Sequence, residues 1–270
     1  MGSPLGAARA VVFDLDETLL PLQTPARWQW AWRPTGPVIP ERHLASALRK
    51  ADRAWDRRRW RGLIGAEPAT GWADFERHVA ETLRLVADRP LPLEEERAVV
   101  ERYLRAQGPI ETFPDVVPFA RRLESEGIPY AVLSPMPHER SEGFLKRAGI
   151  DPIHLVRLPP SEPPPPAKSA FRSAADALGV RPAEAVFVGD LYWSDVRASA
   201  RAGMRAVLID RDGKAPAASG TRIRSLSELP EVLRGEAGGP PSAPKGPEGP
   251  ERPEGASEEL GSPRPGPEAE

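Results

Sequence analysis

Residues 10 to 20 read AVVFDLDETLL, and this stretch narrows the possible folds most. Val11, Val12 and Phe13 form a short apolar run without alternation, the pattern of a strand covered on both faces, as in a parallel sheet. The run leads straight into Asp14 and Asp16. Alternate residues of a strand face the same side, so both carboxylates can start out facing one site. Two carboxylates at the end of a buried strand repel each other and lose hydration, a cost that something there has to offset. In open α/β sheets that end is where ligands bind.

Beyond Leu20 the pattern changes. Residues 21–112 show helical periodicity and no convincing strand. Leu44, Leu48, Ala51 and Trp55 repeat at intervals of three and four, as do Trp72, Phe75, Val79, Leu83 and Val86, with Thr70 available as an N-cap. A third helix opens at Pro92, with Glu94, Glu95 and Glu96 suiting the helix dipole and Val99, Val100, Tyr103 and Leu104 on its inner face. Six of the seven tryptophans fall in this insertion, and so do Arg57, Arg58, Arg59 and Arg61. The tryptophans read as the core of a small bundle and the arginines as a solvated face.

From Phe113 strands and helices alternate. The segment FPDVVPFARRLESEG predicts a helix stopped by Gly127, followed by a strand over 129–133 that ends at Ser134. HERSEGFLKRAG predicts a helix closed by Gly149, and 153–158 a shorter strand. A stiff Pro-rich spacer, 159–166, then delivers Lys168 to the start of a helix. Residues 185–188 form a strand feeding Gly189 and Asp190, Asp195 opens the next helix, and 205–209 is a last strand. Five strands separated by helices predict an α/β fold with a doubly wound, mostly parallel sheet. The expected organisation is a core of residues 1–20 and 113–234, a helical insertion over 21–112, and a tail over 235–270.

Of the 36 tail residues, 17 are Pro or Gly and Leu260 is the one aliphatic side chain larger than alanine, a composition that predicts disorder. The tail carries five excess negative charges, which leaves the body of this chain of net charge −2 at about +3. So small a charge gives no argument for nucleic acid or membrane binding. The absence of cysteine excludes disulfides, thiolate metal sites and thiol nucleophiles. No run of about 18 apolar residues is present and the first ten residues lack the features of a secretory signal, so a cytoplasmic protein is expected.

Polar signals therefore gather at strand ends: Asp14 and Asp16, Ser134, Lys168, and Asp190 with Asp195. In a parallel sheet these ends share one edge. Converging carboxylates require a cation, and an oxygen-only set with room for water suits Mg²⁺ better than Ca²⁺. A divalent cation, a lysine, a hydroxyl and a carboxylate nucleophile together suggest phosphoryl transfer.

VVFDLDETLL, the strand ending in Ser134, Lys168 of KSAFRSAADALGV and VFVGDLYWSD resemble the four motifs of the haloacid dehalogenase-like (HAD) superfamily. The resemblance spans residues 10–235 and implies a Rossmann-like core with a helical cap inserted after the first strand. It implies a Mg²⁺-dependent phosphatase acting on a small phosphomonoester. Asp14 would be the nucleophile forming an aspartyl-phosphate, and Asp16 the acid that protonates the leaving alcohol and then activates water. Asp14, Asp16 through its carbonyl and Asp190 would hold Mg²⁺, with Asp195 either a further metal ligand or a carboxylate just behind the ligands. Ser134 and Lys168 would grip the phosphoryl oxygens, with Thr18 stabilising the turn beside them. Dehalogenases need no acid at the position of Asp16, which favours the phosphatase branch.

One position departs from the family pattern. The motif-two Ser or Thr is usually followed by Asn and Gly, with a backbone N–H donating to phosphate; here Pro135 follows Ser134 and has no N–H. The Met136 amide is the candidate substitute, and loss of one such donor costs on the order of 10²-fold in rate. Two alternatives stay open: a catalytically silent phosphate- or partner-binding protein on this fold, and a phosphotransferase.

Overall fold

The computed structural model describes residues 8–64, 72–87, 89–105, 110–159, 161–213 and 220–235; Thr70 and the tail beyond Gly235 lie outside them. The described residues form a five-stranded parallel sheet in the order β2-β1-β3-β4-β5, built from β1 (Ala10–Phe13), β2 (Tyr130–Val132), β3 (Ala185–Gly189), β4 (Arg205–Ile209) and β5 (Arg222–Ile223). The chain reverses its direction of winding at β1, which has β2 on one side and β3 on the other.

The sheet is buried on both faces, and side-chain alternation sorts its residues between them. Val11, Phe13, Val186 and Val188 pack toward Phe119 and Leu123 of α5 (Val116–Ser125), Leu145 of α6 (His138–Arg147), and Leu229 and Leu233 of α9 (Leu229–Gly235). Ala10, Val12 and Phe187 pack toward Ala170, Phe171 and Ala174 of α7 (Lys168–Ala177) and Ala202 of α8 (Ala198–Ala202). Each such valine, leucine or phenylalanine contributes about 1.5–3 kcal/mol by leaving water.

The strand expected over 153–158 is absent. Pro152 and the Asp151 carboxylate, which accepts from the Ile153 amide at 2.9 Å, wind Pro152–His154 into a 3₁₀ turn. Sheet pairing there shrinks to a single bridge between Leu155 and Val132, and Ile153 stays exposed. The fifth strand is Arg222–Ile223 instead, too short to leave a periodic signal.

Among the described residues between β1 and α5 lie four helices: α1 (Pro25–Trp32), α2 (Glu41–Ile64), α3 (Trp72–Val86) and α4 (Leu93–Arg105). Trp28, Trp32, Leu44, Trp55, Val79 and Tyr103 are among the residues of their own apolar cluster. Trp28, Trp32 and Trp55 thus behave as bundle core, whereas Trp30 is half exposed and Trp60 packs against the apolar cluster on the α7 side of the sheet. The first helix was not legible from periodicity; it starts because the Thr24 hydroxyl accepts from the Arg27 amide at 3.2 Å and Pro25 takes the first position. Among the described residues no helix is long and apolar enough to cross a membrane.

Candidate active site

Register assembles the site. Phe13 pairs with Val188 of β3 and with Val132 of β2, and the Asp14 amide continues the ladder by donating to the Val188 carbonyl at 2.9 Å. The chain leaves β1 and β3 on the same edge, so Asp14, Asp190 and Asp195 converge. Each offers a carboxylate oxygen, all within 4.8 Å of one another. Oxygens at opposite corners around Mg²⁺ are about 4.2 Å apart, so the set matches a small hard cation in both chemistry and spacing. Gly189 makes the approach possible: a Cβ there would lie 2.5 Å from Asp195 Oδ2. Asp195 does not open the following helix as expected but lies inside an irregular helical turn (Tyr192–Arg197), where its carboxylate accepts from the Leu191 amide at 2.9 Å and so holds the start of that turn.

Burial pushes the Asp14 and Asp190 carboxyls well above the usual carboxylate range, and repulsion from Asp195 adds to it in both. Burial also raises Asp195, to about 7. Asp16 lines the same small pocket, and its Oδ1 is buried without a partner among the described residues. It too is raised well above normal, by burial and then by Glu17 and Asp52. Glu17, which sequence reasoning missed, sits at φ +53° in the turn after Asp16 and accepts from the Gln23 amide at 2.8 Å. Burial lifts it to about 7.

The phosphate-side residues fare differently. Ser134 is buried next to the pocket, and the Met136 amide donates to its hydroxyl at 3.2 Å while Pro135 and Met136 line the wall. The hydroxyl of Thr18 is buried without a partner among the described residues and does not line the pocket. Its carbonyl accepts from Arg211 Nη2 at 2.6 Å, and the same guanidinium pairs with both oxygens of Asp115 at 3.1 Å. Thr18 thus belongs to the support of the turn. Lys168 begins α7 but is exposed and takes no part in lining the pocket. The chain buries Pro165, Pro166 and Ala167 just before α7, and the lysine that follows them stands exposed at the first helical position.

The cation that does line the pocket is Arg59 of α2, 3% exposed. The arginine run is therefore not wholly a solvated face. Three residues earlier, buried Asp56 accepts from the amides of Trp193 and Ser194 at 3.0 and 2.7 Å, so α2 is docked on the loop after β3. Trp193 packs on Trp60 with ring centres 5.5 Å apart. A wider cleft of about 270 Å³ shares Asp190 and Leu191 with the pocket and is bordered by Arg49, Arg53 and Arg211.

A Rossmann-like sheet whose rim carries a buried, cation-seeking carboxylate cluster under a helical insertion defines a carboxylate-centred hydrolase. The haloacid dehalogenase-like hydrolase family matches residues 8–203, and the chain belongs to it. A glyceraldehyde 3-phosphate phosphatase of Methanopyrus kandleri is 30% identical over 207 residues, 75% of this chain and 84% of that protein. An (S)-2-haloacid dehalogenase of a Pseudomonas species is 29% identical over 240 residues, covering 83% and 96%. The HAD hydrolase YfnB of Bacillus subtilis, solved bound to magnesium, shares the fold at a TM-score of 0.60 and 14% identity, covering 84% of this chain and 98% of that one.

Proposed function

We propose that this hydrolase is a Mg²⁺-dependent phosphatase that cleaves a small phosphomonoester through an aspartyl-phosphate on Asp14. Bound among Asp14, Asp190 and Asp195, Mg²⁺ would supply positive charge for the phosphoryl oxygens. An Asp14 oxygen attacks phosphorus as the P–O bond to the leaving group breaks. The electron pair passes to the leaving oxygen, which takes a proton from Asp16. Asp16, now ionised, removes a proton from the water that hydrolyses the aspartyl-phosphate, which frees Asp14. The leaving group would lodge in the cleft beyond Asp190.

The observation that carries this reading is Asp16. A halide leaves as a weak base and needs no proton, whereas an alkoxide needs one. Asp16 lines the pocket beside Asp14, and burial moves its carboxyl upward, the direction that suits an acid catalyst. The similarity to the Methanopyrus kandleri phosphatase adds support, and the similarity to the Pseudomonas dehalogenase motivates the rival reading.

Both readings meet in one experiment. The wild-type chain should release phosphate from an aryl phosphate with Mg²⁺ and no halide from (S)-2-chloropropionate, and D14N should lose the phosphatase activity. D16N should slow an alkyl phosphate far more than an aryl phosphate, whose leaving group needs little protonation. Halide release that survives in D16N would sink the phosphatase reading.

A further inference from the structure

The pocket holding Asp14, Asp16, Asp190 and Asp195 has one cationic wall among the described residues, and it comes from the insertion and not from the sheet. The Arg59 guanidinium reaches in from α2 and donates to the Pro165 carbonyl in the spacer before α7. It lies 4.8 Å from the Trp55 ring centre, with Nε 3.9 Å from Asp74 Oδ2. Burial lowers its affinity for the proton, while Asp195, Asp74, Asp56 and Asp14 act the other way. A guanidinium with a planar fork of donors is well suited to phosphoryl oxygens. One turn earlier on α2, Asp56 accepts from two backbone amides of the segment after β3, which anchors the helix next to the pocket.

We propose that Arg59 is a catalytic residue of this hydrolase: delivered by α2, its guanidinium contacts the transferring phosphoryl group beside Asp14, the task the motif resemblance gave to Lys168. This rests on the phosphatase reading. Arg59 stays protonated throughout; it binds and offsets charge while the proton moves between Asp16, the leaving group and water. The centre is then complete only when the insertion is docked.

The full-length chain tests this through R59A, R59K, R57A and K168A, with kcat and KM for an aryl phosphate and, separately, calorimetric binding of inorganic phosphate in the presence of Mg²⁺. R59A should lose about 10²–10³-fold in kcat, the size seen when one transition-state donor is removed. Its phosphate binding should weaken by about tenfold or more, a change of about 1.4 kcal/mol. Added guanidinium ion should restore part of the rate and urea, its uncharged counterpart, none. R57A, on the exposed side of the same helix, should match the wild type, and K168A should lose much less than R59A. A folded R59A with near wild-type kcat and phosphate binding overturns the proposal, as does rescue by urea or a larger loss in K168A. If R59A does not fold, R59K decides: weaker phosphate binding at an unchanged Tm supports the role, and unchanged binding overturns it. D14N separates the two levels of inference. Turnover surviving in D14N defeats the phosphatase reading itself, whereas a dead D14N beside an unaffected R59A defeats only the role of Arg59.

Discussion

The site has two walls of different origin. The acidic wall is fixed by backbone: Asp14 and Asp190 follow neighbouring strands held in register by ladder hydrogen bonds, and Gly189 leaves the space that Asp195 fills. The basic wall is one side chain on a helix held to the core by Asp56 on the Trp193 and Ser194 amides, by Arg59 on the Pro165 carbonyl and by the packing of Trp60 on Trp193. The difference teaches that the negative charge lining the pocket comes from the strand ends and the positive charge from the insertion, so the two are joined only by tertiary contacts. Binding of a cation and docking of the insertion then act on one electrostatic cluster from opposite sides.

The largest expected effect comes from removing the acidic wall. D190N should lower turnover by about 10³-fold or more, since several kcal/mol of charge stabilisation go with the cation. It should also abolish the rise in Tm on adding Mg²⁺, read by thermal unfolding. G189A strikes the same wall indirectly, because its Cβ would lie 2.5 Å from Asp195 Oδ2. Overpacking of this kind typically costs about 1–3 kcal/mol, and the displaced carboxylate should weaken Mg²⁺ affinity, measurable by calorimetry.

Breaking the other wall should cost less. D56A leaves the Trp193 and Ser194 amides without their acceptor, at about 1–3 kcal/mol each if they stay buried. The insertion should loosen, with faster hydrogen exchange in α2, while β1 and β3 stay protected. Equal loss of protection in the strands would show that the two walls are not separable.

The smallest expected effect is the pH response, and it sharpens the comparison because it reads the buried carboxylates, most of which follow the strand ends. Asp195 and Glu17 are raised to about 7 in the fold, against about 4 for free carboxyls. The folded state therefore binds more protons than the unfolded chain between about pH 4 and 7, so stability present at the acid end is lost as pH rises through 7. Without metal, Tm should be higher near pH 5 than near pH 8; Mg²⁺ should restore stability most at pH 8. A metal-free Tm that rises with pH over this range would contradict the burial of these carboxyls.

The acidic wall was legible in the sequence because strand ends obey local rules. An apolar run followed by Asp, read in a parallel sheet, already implies which residues share an edge, and Asp14, Asp190 and Asp195 meet there. The basic wall was not legible. Arg59 sits among Arg57, Arg58 and Arg61, and composition alone cannot separate the one buried guanidinium from a solvated run. Only the long-range meeting of α2 with the loop after β3 and with Pro165 makes the distinction. The same holds for Arg211, which clasps the Thr18 carbonyl across 193 residues of sequence. Short-range chemistry overrode pattern at 152–154, where a proline and a capping aspartate replaced the expected strand with a 3₁₀ turn.

The Phe113 amide donates to the Leu19 carbonyl at 3.2 Å, so the chain enters and leaves the insertion one hydrogen bond apart. Topologically the four helices are a side excursion whose endpoints are already closed by the rest of the fold. Their length can change without threading anything or shifting a strand, and loop-closure entropy grows only slowly with such additions. A gene encoding this core could exchange the whole excursion for another of different size and keep its rim of carboxylates intact.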